Sequence, residues 1–280
     1  VKRNYELIHA HDSHGLQSAL AARWLGGLRT PIVASRRVSV RMRSPSVWRR
    51  ADAVVAVSQA VASILRDQDI PAEKIRVIPD GVSSEELEHR LPGRLRERAG
   101  ALSDQTLVGT VGELTREKGH DWFLRSVALI AADHPEARFV LIGDGPERDR
   151  LTRLADALGI ADRVAFPGAV SEVGRSIGDL DLFVMPSLEE GLGTAAREAM
   201  FGGCPVVLSG AGGLTDLAGE NIPTLPPGDV DALAGAMARL LSDSAARSLL
   251  ARRCRERGSE FTSVKTARST LALYRELADN

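Results

Sequence analysis

Glu190 and Glu198 stand on either side of a Gly191-Leu192-Gly193 turn, with seven residues between them, inside the stretch Ser187 to Ser209. Asp181 to Pro186 is a short apolar run ending in proline and reads as a buried strand. Thr194 to Met200 is made of good helix formers, so residues 190–193 form a tight strand-to-helix turn. Such a turn directs backbone N–H groups toward an anion and favours a phosphate. A pyrophosphate seated there leaves one carboxylate beside each flank. Carboxylates accept strongly from hydroxyls, which suits a polyol on both sides. Lys118, in the pair Lys118-Gly119, follows another strand by a short loop and is placed to reach the same phosphates as a point charge.

These residues need strands to carry them. Apolar runs at Tyr5–Ala10, Thr30–Ser35, Ala53–Val57 and Ile75–Ile78 alternate with helical stretches. A second series follows at Thr106–Val111, Arg138–Ile142, Arg163–Phe166, Asp181–Pro186 and Pro205–Ser209. Strand–helix alternation implies parallel sheets with crossovers. The polar stretch from Ser83 to about Ser103, with Pro92-Gly93 in its middle, reads as a linker. In such sheets ligands collect at the carboxyl ends of strands. The turns His11 to His14, Ser35 to Arg37, Gly112-Glu113, Gly143 to Gly145, Glu190-Gly191 and Gly210 to Gly213 all fall there and point to a cleft between two half-domains.

The chain has 280 residues, 44% hydrophobic and 26% charged, with net charge −1, as expected of a globular protein of two domains. That charge argues against a nucleic-acid partner. No apolar run approaches the ~20 residues that span a bilayer, and the N-terminus carries no signal-peptide core, so a cytoplasmic protein is expected. Cys204 and Cys254 are expected as reduced thiols. His9, His11 and His14 lack the spacing and the completing ligands of a metal site, so no metal is expected and His11 reads as a site wall. From Ser13 to Ala51 there is no acidic residue, yet eight arginines from Arg23 to Arg50. That run suggests an anionic membrane surface or a phosphorylated acceptor as partner, with Arg36 and Arg37 facing the cleft.

The stretch from Phe183 through Glu190-Gly-Leu-Gly and Glu198 to Ser209, then Gly212-Gly213, resembles the retaining GT-B glycosyltransferases of family 4. Val57-Ser58, Ile78 to Val82, Val111-Gly112 to Lys118-Gly119, Leu141 to Pro146 and Phe166 to Gly168 fall in the family's order. The resemblance implies an α/β GT-B architecture of two Rossmann-like parallel-sheet domains facing a cleft. An incomplete N-terminal acceptor-side domain would span 1–100, joined by the C-terminal helix 261–280, and a donor-binding domain 101–260. A UDP- or GDP-sugar is the implied donor, and a glycan or lipid-linked acceptor its counterpart. By similarity Glu198 binds the donor ribose and Glu190 the transferred sugar, while Lys118 and the amides of Gly191, Leu192 and Gly193 hold the diphosphate. Gly112, Glu113, Gly143, Gly145 and Phe166 complete the donor-binding set; Glu190, Lys118, His11 and Arg37 are the catalytic candidates. No cofactor and no metal are implied, because the lysine and the helix start neutralise the leaving diphosphate. Retention by front-side attack needs no carboxylate nucleophile.

Two positions depart from the family. Glu113 stands where an arginine is frequent, and Arg37 at or next to a frequent histidine. Relatives also carry roughly sixty to eighty more residues ahead of this start, on ordinary domain size, so a fragment or a naturally short acceptor domain is expected. The implied function is a retaining, metal-independent transferase in cell-surface polysaccharide or lipopolysaccharide assembly, peripheral on the inner face of the cytoplasmic membrane. The alternatives are a non-catalytic nucleotide-sugar-binding remnant or partner subunit, and sugar-nucleotide epimerisation, for which no acid/base carboxylates stand out.

Overall fold

A computed structural model describes residues 5–27, 29–83, 85 and 91–279. The chain divides into two compact units, residues 1–81 with 263–280, and residues 82–262.

In the first unit the described strands are β1 (Ile8–Ala10), β2 (Ile32–Arg36), β3 (Ala53–Ala56) and β4 (Ile75–Val77), paired in the order β1-β2-β3-β4 and all parallel. β2 and β3 are buried along almost their whole length, which explains their continuous apolar sequence. The helix Ser13–Leu25 starts where Asp12 Oδ1 accepts from Gly15 N at 2.7 Å, and Gln59–Arg66 where Ser58 Oγ accepts from Val61 N at 3.2 Å. Leu16 and Leu20 are buried, but Leu25 is 76% exposed, so the apolar face of this helix stops one turn before its end. The last helix, Ser263–Ala278, packs on this sheet: Leu273 is buried with Val33, Ala53, Val55 and Ile78, and Arg76 pairs with Glu276 at 2.6 Å.

The second unit holds β5 (Thr106–Val111), β6 (Ala137–Ile142), β7 (Val164–Gly168), β8 (Leu182–Met185), β9 (Val206–Ser209) and β10 (Thr224–Leu225), in the order β10-β9-β8-β5-β6-β7 with parallel pairing throughout. From β5 the chain proceeds to β6 and β7 on one side; β8, β9 and β10 extend the sheet on the other. The switch point therefore lies between β5 and β8, where the loops leaving the two carboxyl ends diverge and open a crevice. The stretch read as a linker contains the helix Arg94–Ala99, which belongs to this unit. Asp179 accepts from Gly93 N and Leu95 N at 2.8 and 2.9 Å, and Arg96 pairs with Asp181 at 2.5 Å. Its anchors lie some eighty residues away in sequence, so local composition shows only its polarity.

Candidate active site

The crevice between β5 and β8 brings Lys118 to Glu190. Lys118 Nζ donates to Glu190 Oε2 at 2.8 Å, and the Ser187 hydroxyl donates to the same oxygen at 3.4 Å. Glycine makes this approach possible. Gly119 has φ +66, and a Cβ there would stand 2.1 Å from the Pro186 carbonyl oxygen at the end of β8. The loop after β5 thus lies directly on the strand end that leads to Glu190. Leu188 N donates to Glu117 O at 2.7 Å and ties the two loops together. From the far side, Gly213 N donates to Glu190 O at 2.9 Å, and the Gly212 backbone leaves no room for a side chain beside that carbonyl.

Gly191, Leu192 and Gly193 are buried, and Gly193 (φ +82) opens the helix Thr194–Phe201 with its first amides unclaimed by a side-chain cap. Glu198 is half-buried on that helix. Its carboxylate lies against Gly174, where an added Cβ would be 2.9 Å from the carboxyl carbon. Gly174 belongs to the short helix Val173–Ser176 that follows β7. Arg197 beside it is 4% exposed and donates to Thr194 Oγ1 at 2.9 Å, a buried cation in this helix that helical periodicity alone does not reveal.

On the other side of β5, Gly112 and Glu113 abut the loop after β6. Gly112 N donates to Ile142 O at 3.0 Å, Gly143 N to Gly168 O at 3.0 Å, and Leu114 N to Asp144 O at 2.9 Å. Gly143 (φ +145) touches the Gly112 carbonyl and Gly145 (φ +156) the Leu114 backbone, so both are required as glycine. The Glu113 side chain is exposed; its carbonyl accepts from His120 Nε2 at 3.1 Å. His120 is 2% exposed, and burial holds it neutral by lowering its pKa to about 4. Its Nδ1 is buried without a partner among the described residues. In the sequence, nothing marks His120 beyond its place directly after Lys118-Gly119. Phe166 is half-buried in β7, and its carbonyl accepts from Arg148 Nη2 at 2.9 Å.

His11 and Arg37 lie together in the first unit, at the carboxyl ends of β1 and β2. Arg37 pairs with Asp80 at 2.9 Å and donates from Nη1 to His11 Nδ1 at 3.4 Å. Because guanidinium only donates, neutral His11 carries its proton on Nε2. His11 stacks on His9, with ring centroids 4.4 Å apart. His9 is hydrogen-bonded to Tyr274 Oη at 2.5 Å and to Ser35 Oγ at 2.7 Å. Burial, with His11 and Arg37 nearby, lowers the His9 pKa to about 4.

Four of the eight arginines in the run are paired or packed within the first unit, Arg37 with Asp80 among them. Arg23 pairs with Asp52 at 2.5 Å and Arg49 with Asp69 at 3.0 Å, while Arg36 lies half-buried over Trp48. Among the described residues no three His, Cys, Asp or Glu side chains gather as a metal group, and no helix is long and apolar enough to cross a membrane. Cys204 and Cys254 are both free and buried.

Residues 105–243 match the family described as glycosyl transferases group 1, and residues 1–86 match glycosyltransferase family 4. The 2-deoxystreptamine glucosyltransferase of Streptomyces kanamyceticus is 32% identical over 268 residues, which cover 86% of this chain and 69% of that protein. The lipopolysaccharide core biosynthesis glycosyltransferase LpsE of Rhizobium meliloti is 31% identical over 219 residues, 77% of this chain and 60% of that one. This chain therefore spans about two-thirds of the length of these curated relatives. The crystal structure of Anabaena HepE in complex with UDP superimposes with a TM-score of 0.86 at 24% identity, over 97% of this chain and 79% of that one. The two parallel-sheet units have the GT-B fold, and with a relative this similar over so much of both lengths, the chain belongs to the group 1 glycosyltransferases, glycosyltransferase family 4.

Proposed function

We propose that the carboxyl edge of the second unit's sheet binds a UDP- or GDP-sugar, and that the protein transfers the sugar with retention to a glycan, glycolipid or phosphorylated acceptor. The observation that carries this reading is the Lys118–Glu190 contact at the β5/β8 switch point, with the glycine turn and Glu198 following on one helix. The diphosphate is met by Lys118 and by the amides of Gly191 to Gly193 at the helix start. Once phosphate draws the lysine, Glu190 is free to accept from the transferred sugar's hydroxyls, and Glu198 accepts from the ribose. In the transfer the bond from the anomeric carbon to the diphosphate oxygen breaks, and the acceptor oxygen bonds to that carbon on the same face. The acceptor's proton passes to the departing phosphate. Lys118 and the oriented amides stabilise the charge that develops there, so we assign no metal to the step. In the first unit, His11 Nε2–H and Arg37 are the groups offered to the acceptor, and Arg29, Arg41, Arg43 and Arg50 the cations offered to an anionic membrane on its cytoplasmic face. Surface-polysaccharide or lipopolysaccharide assembly is the proposed setting; the LpsE similarity supports it.

Incubation with a panel of nucleotide sugars and phosphorylated or lipid-linked acceptors should give transfer or donor hydrolysis that is unchanged by EDTA and is abolished in Glu198→Ala. Full activity in that variant contradicts the site assignment. Donor binding without turnover favours the non-catalytic alternative.

A further inference from the structure

Arg148 opens the helix Arg148–Ala157, just after the glycine turn that ends β6. Its Nη2 is fixed on the Phe166 carbonyl at 2.9 Å. A Cβ built on Gly168 (φ +79) would come within 3.6 Å of its Nη1. The guanidinium thus lies over the Phe166-Pro167-Gly168 end of β7, beside a residue with no side chain to cover it. Of the other cations in this unit, Arg116 and Arg150 share Glu147, Arg175 is held by Glu172, and Lys118 by Glu190. Arg148 is half-buried and has no carboxylate partner among the described residues. A partly desolvated guanidinium whose other donors are uncompensated in the fold is suited to an acceptor brought by a ligand.

Its place along the sheet says which part of the ligand. Read across the carboxyl edge, the order is Glu190 after β8, Lys118 after β5, the Gly143–Gly145 turn after β6, and Phe166–Gly168 at β7. A nucleotide sugar with its diphosphate at Lys118 and its sugar toward Glu190 extends its nucleoside toward β7. There Glu198 already lies against Gly174, in the segment that follows β7. We propose that Arg148 is the residue that selects the donor's base, its remaining N–H groups donating to a base that turns a carbonyl oxygen toward them, as uracil and guanine do. Adenine presents an amino group in place of that oxygen, so donor would face donor and that hydrogen bond would be lost. This inference rests on the donor-site reading above.

Calorimetric titration of the whole chain with UDP, GDP and ADP tests it, using the wild type, Arg148→Gln, Arg148→Lys and Lys118→Gln. The wild type should bind UDP or GDP roughly tenfold or more tighter than ADP, the margin expected of a hydrogen bond to a charged group. Arg148→Gln keeps a polar side chain but ends two bonds short of Nη2, so it removes the guanidinium donors; it should remove most of that margin while leaving ADP binding nearly unchanged. Arg148→Lys should fall between, and Lys118→Gln should weaken all three ligands together. Melting temperatures confirm that each variant is folded. An adenine preference in the wild type overturns the proposal. So does an Arg148→Gln variant that weakens every nucleotide equally with the margin intact, since that marks a merely structural prop. Absence of binding by any nucleotide overturns the donor-site reading itself.

Discussion

Gly143→Ala is expected to destabilise the second unit by on the order of 3–5 kcal/mol and to lower its melting temperature by about 10 °C. Gly143 leaves β6 with φ +145, and the new Cβ would meet the Gly112 carbonyl oxygen at 1.8 Å. Both partners are backbone at the ends of adjacent strands, so neither can rotate away. The loop after β5 must separate from the loop after β6, and the bonds Gly112 N to Ile142 O and Gly143 N to Gly168 O go with it. Gly159→Ala is the control. It has φ +71 but open space around it, so only the backbone term of about 1 kcal/mol applies. Thermal unfolding of the two variants should differ by severalfold in lost stability; equal losses contradict the close approach of the two loops. Gly143→Ala should also lose nucleotide binding at temperatures where it remains folded.

The second large effect concerns charge. Lys118→Gln is expected to weaken donor binding by roughly 100-fold, because it removes the cation and leaves Glu190 facing the diphosphate. The Glu190 side chain is only 12% exposed, so its charge is poorly screened once its partner is gone. The double variant Lys118→Gln/Glu190→Gln should therefore bind UDP more tightly than Lys118→Gln alone, although it has lost one more polar contact. Glu190→Gln alone should bind UDP nearly as the wild type does and lose transfer, since its role is toward the sugar. Titration of the three variants measures the coupling directly. If the effects simply add, Lys118 and Glu190 do not share the ligand, and the contact between them is incidental.

The strand pattern was legible because the buried strands are short apolar runs closed by turn residues. Thr106–Val111 falls on β5 residue for residue, and the helices starting at Ser58, Asp229 and Asp243 begin where those side chains accept from the backbone. What escaped has nonlocal causes. β10 is two residues long and is defined only by its pairing with Leu208 and Ser209. The helix Pro45–Trp48 lies in an arginine-rich segment that hides a Trp48 only 2% exposed. The helix Leu214–Ala218 follows directly on the glycine turn after β9, whose composition masks it. In the site, the turn around Glu190 and the helix of Glu198 could be read from spacing alone. The Lys118–Glu190 contact could not, because it depends on Gly119 lying against Pro186 across the sheet. His120, Arg148 and Arg197 were missed because a histidine or arginine near a helix start has no sequence mark separating a solvated side chain from a buried one. Conversely, the acid-free arginine run suggests an anionic partner, yet Asp52, Asp69 and Asp80 draw three of its members into ion pairs.

Amide hydrogen exchange with and without saturating UDP or GDP tests the central claim most directly, namely that the carboxyl edge of the second sheet is where a nucleotide sugar is held. The account predicts slowed exchange in residues 112–119, 143–146 and 190–194 with the nucleotide bound, and unchanged exchange in β1 to β4. Nucleotide binding that leaves those three loops unprotected, or protection confined to other segments, would contradict it.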